Sequence, residues 1–132
     1  MSENKAPMAL VVEDDEPIRE LVADTLWNEG YSILEARDGQ QAIRLLDEVI
    51  LPADARCVVV LDMLMPRVSG LDVLDHLKER GCKLPVVAMS ASSMHLAAAQ
   101  AAGTNATLAK PFNLDQLVAV VDSYSDVVAA HG

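Results

Sequence analysis

The chain is poor in the residues that mark several protein classes. Aromatic side chains make up 3% of its 132 residues, so its core has to be built from aliphatic side chains. Only two cysteines are present, Cys57 and Cys82, and they lack the close spacing of a metal-binding or redox pair. No apolar run is long enough to cross a bilayer, and the first residues lack the apolar segment of a signal peptide. We therefore expect a cytoplasmic protein that does not bind membranes.

Basic residues are also scarce. Ten lysines and arginines stand against 20 aspartates and glutamates, which gives a formal net charge of −10. Such a surface repels phosphate backbones and anionic lipids, so direct binding to nucleic acid is not expected. The acidic excess by itself identifies no partner.

Apolar residues, in contrast, are abundant and regularly arranged. They form 52% of the chain, whose length suits one domain. We predict a domain over residues 8–125, with tails at 1–7 and 126–132. Five apolar runs have the character of buried strands and alternate with segments of helical periodicity, which predicts a parallel sheet covered by helices on both faces. The predicted strands are Met8–Val12, Tyr31–Ala36, Cys57–Leu61, Pro85–Met89 and Ala106–Ala109.

The predicted helices are marked by their first and last residues. Pro17 suits a first helical turn, Asp38 and Gly39 form a turn before the second helix, and Asn113 is a cap for the last. Trp27 is predicted to pack at the far side of the sheet, and His76 to face solvent. The predicted apolar stripes are Ile18, Leu21, Val22, Thr25 and Leu26 in the first helix, Ala42, Leu45, Leu46 and Val49 in the second, Leu71, Leu74 and Leu77 in the third, and Leu114, Leu117, Val118 and Val121 in the fifth.

Polar side chains recur where the predicted strands end. Glu13 and Asp14 follow the first strand, Asp62 the third, Ser90 the fourth and Lys110 the fifth. The carboxyl ends of parallel strands lie at one edge of a sheet. If the strand order is 2-1-3-4-5, the three carboxylates meet at the crevice between strands one and three.

Three adjacent carboxylates repel one another unless a cation lies between them. Mg²⁺ suits oxygen ligands, and no histidine stands close by in the sequence to favour zinc or copper. A carboxylate beside Mg²⁺, a lysine and a hydroxyl is what phosphoryl transfer onto Asp62 requires.

These residues resemble a known family, the receiver domain of two-component response regulators. The matching motifs are Val11-Val12-Glu13-Asp14-Asp15, Val60-Leu61-Asp62-Met63-Leu64-Met65-Pro66 with Gly70, Met89-Ser90-Ala91, and Lys110-Pro111-Phe112. They occur in order and cover the chain from about Met8 to Tyr124. The resemblance implies a flavodoxin-like, doubly wound (βα)5 three-layer sandwich with the strand order 2-1-3-4-5.

The resemblance also implies a role for each matching residue. Asp62 would be the phosphoacceptor. Asp14 would bind Mg²⁺ directly, with Mn²⁺ as an alternative ion, Glu13 would bind it mainly through water, and the backbone carbonyl of Leu64 would complete the protein ligands. Ser90 and Lys110 would contact the phosphoryl group. The bond before Pro111 is expected to be cis.

The implied partners are a histidine kinase or histidine phosphotransfer protein as phosphoryl donor, and a downstream protein target. The aspartyl phosphate would then hydrolyse by the domain's own chemistry, so a turnover enzyme is not expected. The chain could act alone, in a phosphorelay, or as a receiver fragment of a hybrid histidine kinase or longer regulator. An Asp-nucleophile phosphatase is a remote alternative, because it requires a second aspartate where this chain has Leu64. A pseudo-receiver is disfavoured, since every catalytic position is filled.

Two positions depart from the family pattern. Thr107 stands three residues before Lys110, where the family commonly has an aromatic ring that turns inward on phosphorylation. We therefore expect a switch based on movement of the fourth helix and the loop before it, without an aromatic side chain. Leu64 is apolar where many members carry a polar group, which predicts slower water access to the phosphoryl group.

Overall fold

A parallel sheet of five strands forms the centre of the molecule. The structure is a computed structural model that describes residues 7–131, and side chains for residues 7–125. The strands are β1 (Met8–Val12), β2 (Ser32–Ala36), β3 (Cys57–Asp62), β4 (Val86–Ser90) and β5 (Ala106–Ala109). They pair in parallel in the order β2-β1-β3-β4-β5. The predicted fold class and strand order are confirmed.

A helix follows each strand. The helices are α1 (Glu16–Asn28), α2 (Gly39–Leu45) with a π-helical turn over Leu46–Ile50, α3 (Gly70–Glu79), α4 (Ser93–Ala101) and α5 (Leu114–His131). The domain boundary predicted at residue 125 falls within α5, and residues 1–6 and 132 of the predicted tails lie outside the described part of the chain. Among the helices described here, none combines the length and the apolar character that a membrane crossing needs.

The sheet separates two apolar layers. Successive residues of β1 and β3 point to opposite faces, so Leu10 and Val59 pack on the α2–α3–α4 side while Val11 and Val60 pack on the α1–α5 side. Every residue of β3 is buried, as expected for a central strand covered on both faces. The polar end of β3 is therefore fixed in position by packing on both sides of the sheet.

The end of the second helix differs from the prediction. Leu51 N–H donates to the carbonyl of Leu46 at 2.9 Å, which closes a turn wider than that of an α-helix. The wide turn rotates Val49 outward to 43% exposure and turns Ile50 into the core, where it is fully buried. The placement of Val49 on the apolar stripe was wrong, because regular helical periodicity does not hold through a π-helical turn.

Other exposed apolar residues also contradict the predicted stripes. Leu21 and Leu71 face solvent, because α1 and α3 bury their neighbours Val22 and Val73 instead. Trp27 is 65% exposed, so the prediction that it packs at the far side of the sheet was wrong. These positions lie at the margins of the stripes, where periodicity alone cannot define how wide the covered strip is.

His76 was predicted to face solvent, and this was wrong. Its Nε2 lies 2.9 Å from Asp47 Oδ1, and Arg80 Nη2 lies 3.3 Å from the same oxygen. The shared carboxylate connects α3 to the π-helical turn after α2.

Candidate functional site

The carboxyl ends of four strands bring the predicted site residues to one edge of the sheet. Val12 pairs with Leu61, so Glu13, the next residue, lies beside Asp62 at the end of β3. Asp62 pairs with Met89, one residue before Ser90. Ser90 pairs in turn with Ala109, and Lys110 follows it. Pairing register alone therefore places the polar residues side by side.

Three carboxylates form a cluster at the crevice between β1 and β3. One oxygen from each of Glu13, Asp14 and Asp62 lies within 4.8 Å of the others. Glu13 and Asp62 are 1% and 3% exposed, whereas Asp14 is exposed to solvent. Buried carboxylates are unfavourable unless they are paired, so the cluster needs cations.

Lys110 supplies one of those cations. Its ammonium Nζ lies 2.6 Å from Glu13 Oε1 and 3.5 Å from Asp62 Oδ1. The shorter contact is a charge-assisted hydrogen bond, and it connects the residue after β5 with the residue after β1. Lys110 therefore sits between the two buried carboxylates, with the closer contact to Glu13.

The pKa values of this group reflect its burial and its crowded charges. Burial, together with the neighbouring Asp62, raises the pKa of Glu13 to about 7 against the opposing effect of Lys110. Burial alone would lower the pKa of Lys110, but the contacts with Glu13 and Asp62 outweigh it and raise that pKa. The lysine therefore stays charged, while Glu13 holds its proton more tightly than an ordinary glutamate.

The loop after β3 is tied closely to Asp62. The Leu64 N–H donates to Asp62 Oδ1 at 3.3 Å, and the Met63 N–H donates to the Met89 carbonyl at 2.9 Å. Gly70 is essential to this packing, because a Cβ added there would lie 2.7 Å from Met63 Cα. The first residue of α3 thus presses against the backbone that carries the Asp62 side chain.

Ser90 and Lys110 are linked through the backbone. The Lys110 N–H donates to the Ser90 carbonyl at 2.9 Å, and the buried Ser90 hydroxyl oxygen accepts from the Ser92 N–H at 3.0 Å. The Lys110–Pro111 peptide bond is cis. Thr107 is half-buried within β5, opposite Ala88.

One residue close to the site was missed by the sequence analysis. The Arg19 guanidinium donates to the Glu13 carbonyl at 3.0 Å and to Glu35 Oε1 at 3.2 Å. Asp15, in contrast, lies outside the carboxylate cluster and caps α1, as its side chain accepts from the Ile18 N–H. No sequence pattern separates Arg19 from any other charged residue of a helix, because its partner is a backbone carbonyl.

The donor set fits a hard divalent cation. The side chains of Glu13, Asp14 and Asp62 offer only carboxylate oxygens, and Lys110 forms ion pairs with two of these carboxylates. Oxygen ligands favour Mg²⁺ or Mn²⁺ over zinc or copper. In residues 7–125, this is the one group of three acidic, histidine or cysteine side chains close enough to share an ion.

Comparison with known proteins defines the class to which this fold and site belong. A family model of the response regulator receiver domain matches residues 9–122, and the chain belongs to this family. The receiver domain of NtrX from Brucella abortus has the same fold, with a TM-score of 0.78 and 32% identity over 88% of this chain and 96% of that one. Response regulators are signalling proteins, and phosphorylation and Mg²⁺ are general features of the family.

Two curated relatives show how much of a longer protein this chain corresponds to. It is 38% identical to the response regulator MprA of Mycolicibacterium vanbaalenii over 83% of this chain and 46% of that protein. It is 34% identical to YrkP of Bacillus subtilis, described as an uncharacterized transcriptional regulatory protein, over 85% of this chain and 46% of that protein. The chain thus spans about half the length of these relatives.

Proposed function

We propose that the chain accepts a phosphoryl group on Asp62 from a phosphohistidine. The observation that carries this proposal is the convergence of Asp62 with Glu13, Asp14 and Lys110 at a buried sheet edge. The donor would be a histidine kinase or a histidine phosphotransfer protein, in a two-component pathway or a phosphorelay. Membership in the receiver family supports the proposal.

In the proposed reaction, Asp62 is the nucleophile. A carboxylate oxygen forms a bond to phosphorus while the bond between phosphorus and the donor's imidazole nitrogen breaks, and the electron pair stays on that nitrogen. The product is an aspartyl phosphate. Packing on both sides of β3 holds the nucleophile in place before reaction, so little ordering is needed when the donor arrives.

Lys110 and Ser90 stabilise the transferred group in this proposal. Phosphorylation adds negative charge beside Asp62, and the Lys110 ammonium already lies 3.5 Å from that carboxylate. Ser90 would exchange its present bond with the Ser92 N–H for one in which its hydroxyl donates to a phosphoryl oxygen. That exchange would pull on the loop that leads into α4.

We assign the metal ligands to Glu13, Asp14, Asp62 and the backbone carbonyl of Leu64. Mg²⁺, with Mn²⁺ as an alternative, would neutralise negative charge on the phosphoryl oxygens. Asp14 is the exposed member of the cluster, and the buried Glu13 holds the Lys110 ammonium at 2.6 Å. The carboxylates would thereby hold two cations, the divalent metal ion and the Lys110 ammonium, around one phosphoryl group.

Hydrolysis would end the signal without a separate enzyme. Water oxygen attacks phosphorus, the bond to the Asp62 oxygen breaks, and inorganic phosphate leaves. This step regenerates the free Asp62 carboxylate. The chain therefore acts as a self-dephosphorylating acceptor and not as a turnover enzyme. Because Leu64 is exposed beside this site, its apolar side chain would slow the approach of water.

The signal would pass to a downstream protein. With Thr107 in place of a ring, we assign the switch to the loop after Ser90 and to α4. The chain would work as a stand-alone regulator or as the receiver unit, over residues 8–125, of a longer regulator or hybrid kinase. We place this exchange in the cytoplasm, where the free thiols of Cys57 and Cys82 would stay reduced.

The proposal is tested by incubating the chain with acetyl phosphate and measuring intact mass. We expect one added phosphoryl group with Mg²⁺ and none when the metal is chelated. Asp62→Asn should abolish the adduct, while Asp72→Asn, which alters an exposed capping residue of α3, should leave it unchanged. A wild-type chain that gains no phosphoryl group from any donor would move the assignment to a pseudo-receiver that only binds partners.

A further inference from the structure

Arg19 joins three segments beside the acidic cluster. Its Nη1 donates to the Glu13 carbonyl at 3.0 Å, its Nε donates to Glu35 Oε1 at 3.2 Å, and its Nη2 lies 3.8 Å from Glu16 Oε2. The side chain is 14% exposed, so it lies largely within the fold while its partners Glu16 and Glu35 are open to solvent. The contact that distinguishes Arg19 from a surface ion pair is the one with the backbone of Glu13.

The carbonyl that Arg19 contacts belongs to the peptide group between Glu13 and Asp14. Because a peptide group is planar, fixing its carbonyl also fixes the Asp14 N–H and the two Cα atoms from which the Glu13 and Asp14 side chains leave the backbone. The Glu13 N–H is held as well, since it donates to the Ala36 carbonyl at 3.0 Å. The two carboxylates therefore start from a backbone that is constrained on both sides of Glu13.

We propose that Arg19 is a positioning residue for cation binding. It holds the peptide group between Glu13 and Asp14 so that the two carboxylates face the same cation, and Glu35 orients the guanidinium. This inference rests on the proposed metal role of the cluster. A planar guanidinium suits the task, because it can donate to a carbonyl and to a carboxylate in fixed directions at the same time.

Two effects of Arg19 on a bound cation have opposite signs. Its positive charge repels a cation, so removal of the charge alone would tighten binding. Removal of its hydrogen bond frees the peptide group and lets the carboxylates separate, which weakens binding. Mutation of residues that orient metal ligands typically reduces metal affinity by about 10-fold to 100-fold. The direction of the change therefore identifies which effect dominates.

The test is Mg²⁺ titration of the folded chain by calorimetry. We expect Arg19→Met to raise the Kd for Mg²⁺ by about 10-fold, since Met keeps the apolar stem but cannot donate. Arg19→Lys should recover part of the affinity, because an ammonium on a flexible stem can reach the carbonyl without the fixed fork. Arg44→Met is the matched control, as it removes the same charge from an exposed helix position and should leave the Kd within twofold of wild type.

Stability is followed in parallel by urea unfolding, in chelator and in saturating Mg²⁺. A structural role alone would lower stability equally in both conditions and leave the Kd of the folded chain unchanged. If Arg19→Met does not fold, Glu35→Gln should still weaken Mg²⁺ binding, by a smaller factor. Unchanged or tighter binding in the foldable variants overturns the inference, whereas a wild-type chain that binds no Mg²⁺ overturns the proposed function itself.

Discussion

Glu13 is a buried acidic side chain in close contact with a lysine. It is buried, lies 2.6 Å from Lys110, and has a pKa raised to about 7 by burial and by Asp62. A carboxyl group whose pKa is raised in the fold stabilises the fold below its ordinary pKa of 4.5, and that contribution is lost as pH rises through about 7. Near neutral pH, ionised Glu13 therefore works against folding even beside Lys110, unless a further cation offsets its charge.

Without divalent cations, Glu13→Gln should gain stability relative to wild type as pH rises from about 5 to about 8. The amide cannot ionise, so the variant escapes the loss that Glu13 causes in that range. The measurement is urea unfolding of both chains in chelator at several pH values. A difference in unfolding free energy that stays flat across this range would mean that Glu13 ionises as an ordinary glutamate.

Leu64 provides a second test at the scale of single residues. The Leu64→Asn variant should lose the phosphoryl group severalfold faster than wild type, because a polar side chain beside Asp62 can guide water. The decay is followed by intact mass after the donor is removed. Leu71→Asn changes another exposed leucine, outside the site, and should decay at the wild-type rate. Equal lifetimes for all three chains would show that Leu64 does not slow hydrolysis of the aspartyl phosphate.

At the scale of elements, much of the fold could be predicted because strands and turns leave local signals. The run ending in Asp62 is apolar because both faces of β3 are covered, and this gave its position correctly. Val49 and Trp27 were misplaced because a π-helical turn and the width of a buried strip depend on neighbouring elements. The sequence also could not reveal the 2.6 Å contact of Lys110 with Glu13, because these residues lie far apart in the chain. Arg19 is only six residues from Glu13, but its contact with a backbone carbonyl leaves no sequence signal.

The junction between β3 and α3 offers a test of how tightly elements position the site. Gly70→Ala should destabilise the chain by about 1–3 kcal/mol, because the added Cβ overlaps Met63 Cα. This atom belongs to the backbone, so it cannot move aside as the end of a flexible side chain would. The substitution should also weaken Mg²⁺ binding, as the overlap moves the backbone next to Asp62. Urea unfolding and calorimetry measure the two effects. Leu71→Ala, at the next and exposed position, is the control, and an equally small effect for both variants would show that the junction is loose.

The switch also belongs to the scale of elements. Thr107 cannot bury a surface comparable to that of an aromatic ring, so we expect phosphorylation to displace the loop after Ser90 and α4. Backbone amide NMR spectra with and without a phosphoryl mimic should differ across residues 90–102. Spectra that differ around Thr107 but not along α4 would contradict this assignment.

At the scale of the whole molecule, one group of acidic residues stands apart from the general acidic excess. The formal net charge is −10, in a chain that spans about half the length of its curated relatives. In that group, formed by Glu13, Asp14 and Asp62, the two buried carboxylates of Glu13 and Asp62 both contact Lys110. We propose that this cluster directs a phosphoryl group onto one carboxylate, Asp62.

The most direct test is to locate the phosphoryl group after reaction. The phosphorylated chain is reduced with borohydride, which converts an aspartyl phosphate to homoserine, and the position is read by fragmentation mass spectrometry. We predict homoserine at position 62 when Mg²⁺ is present, and unmodified aspartate there when the metal is chelated. Homoserine at another aspartate, or a phosphoryl adduct retained in Asp62→Asn, would contradict phosphoryl transfer to Asp62.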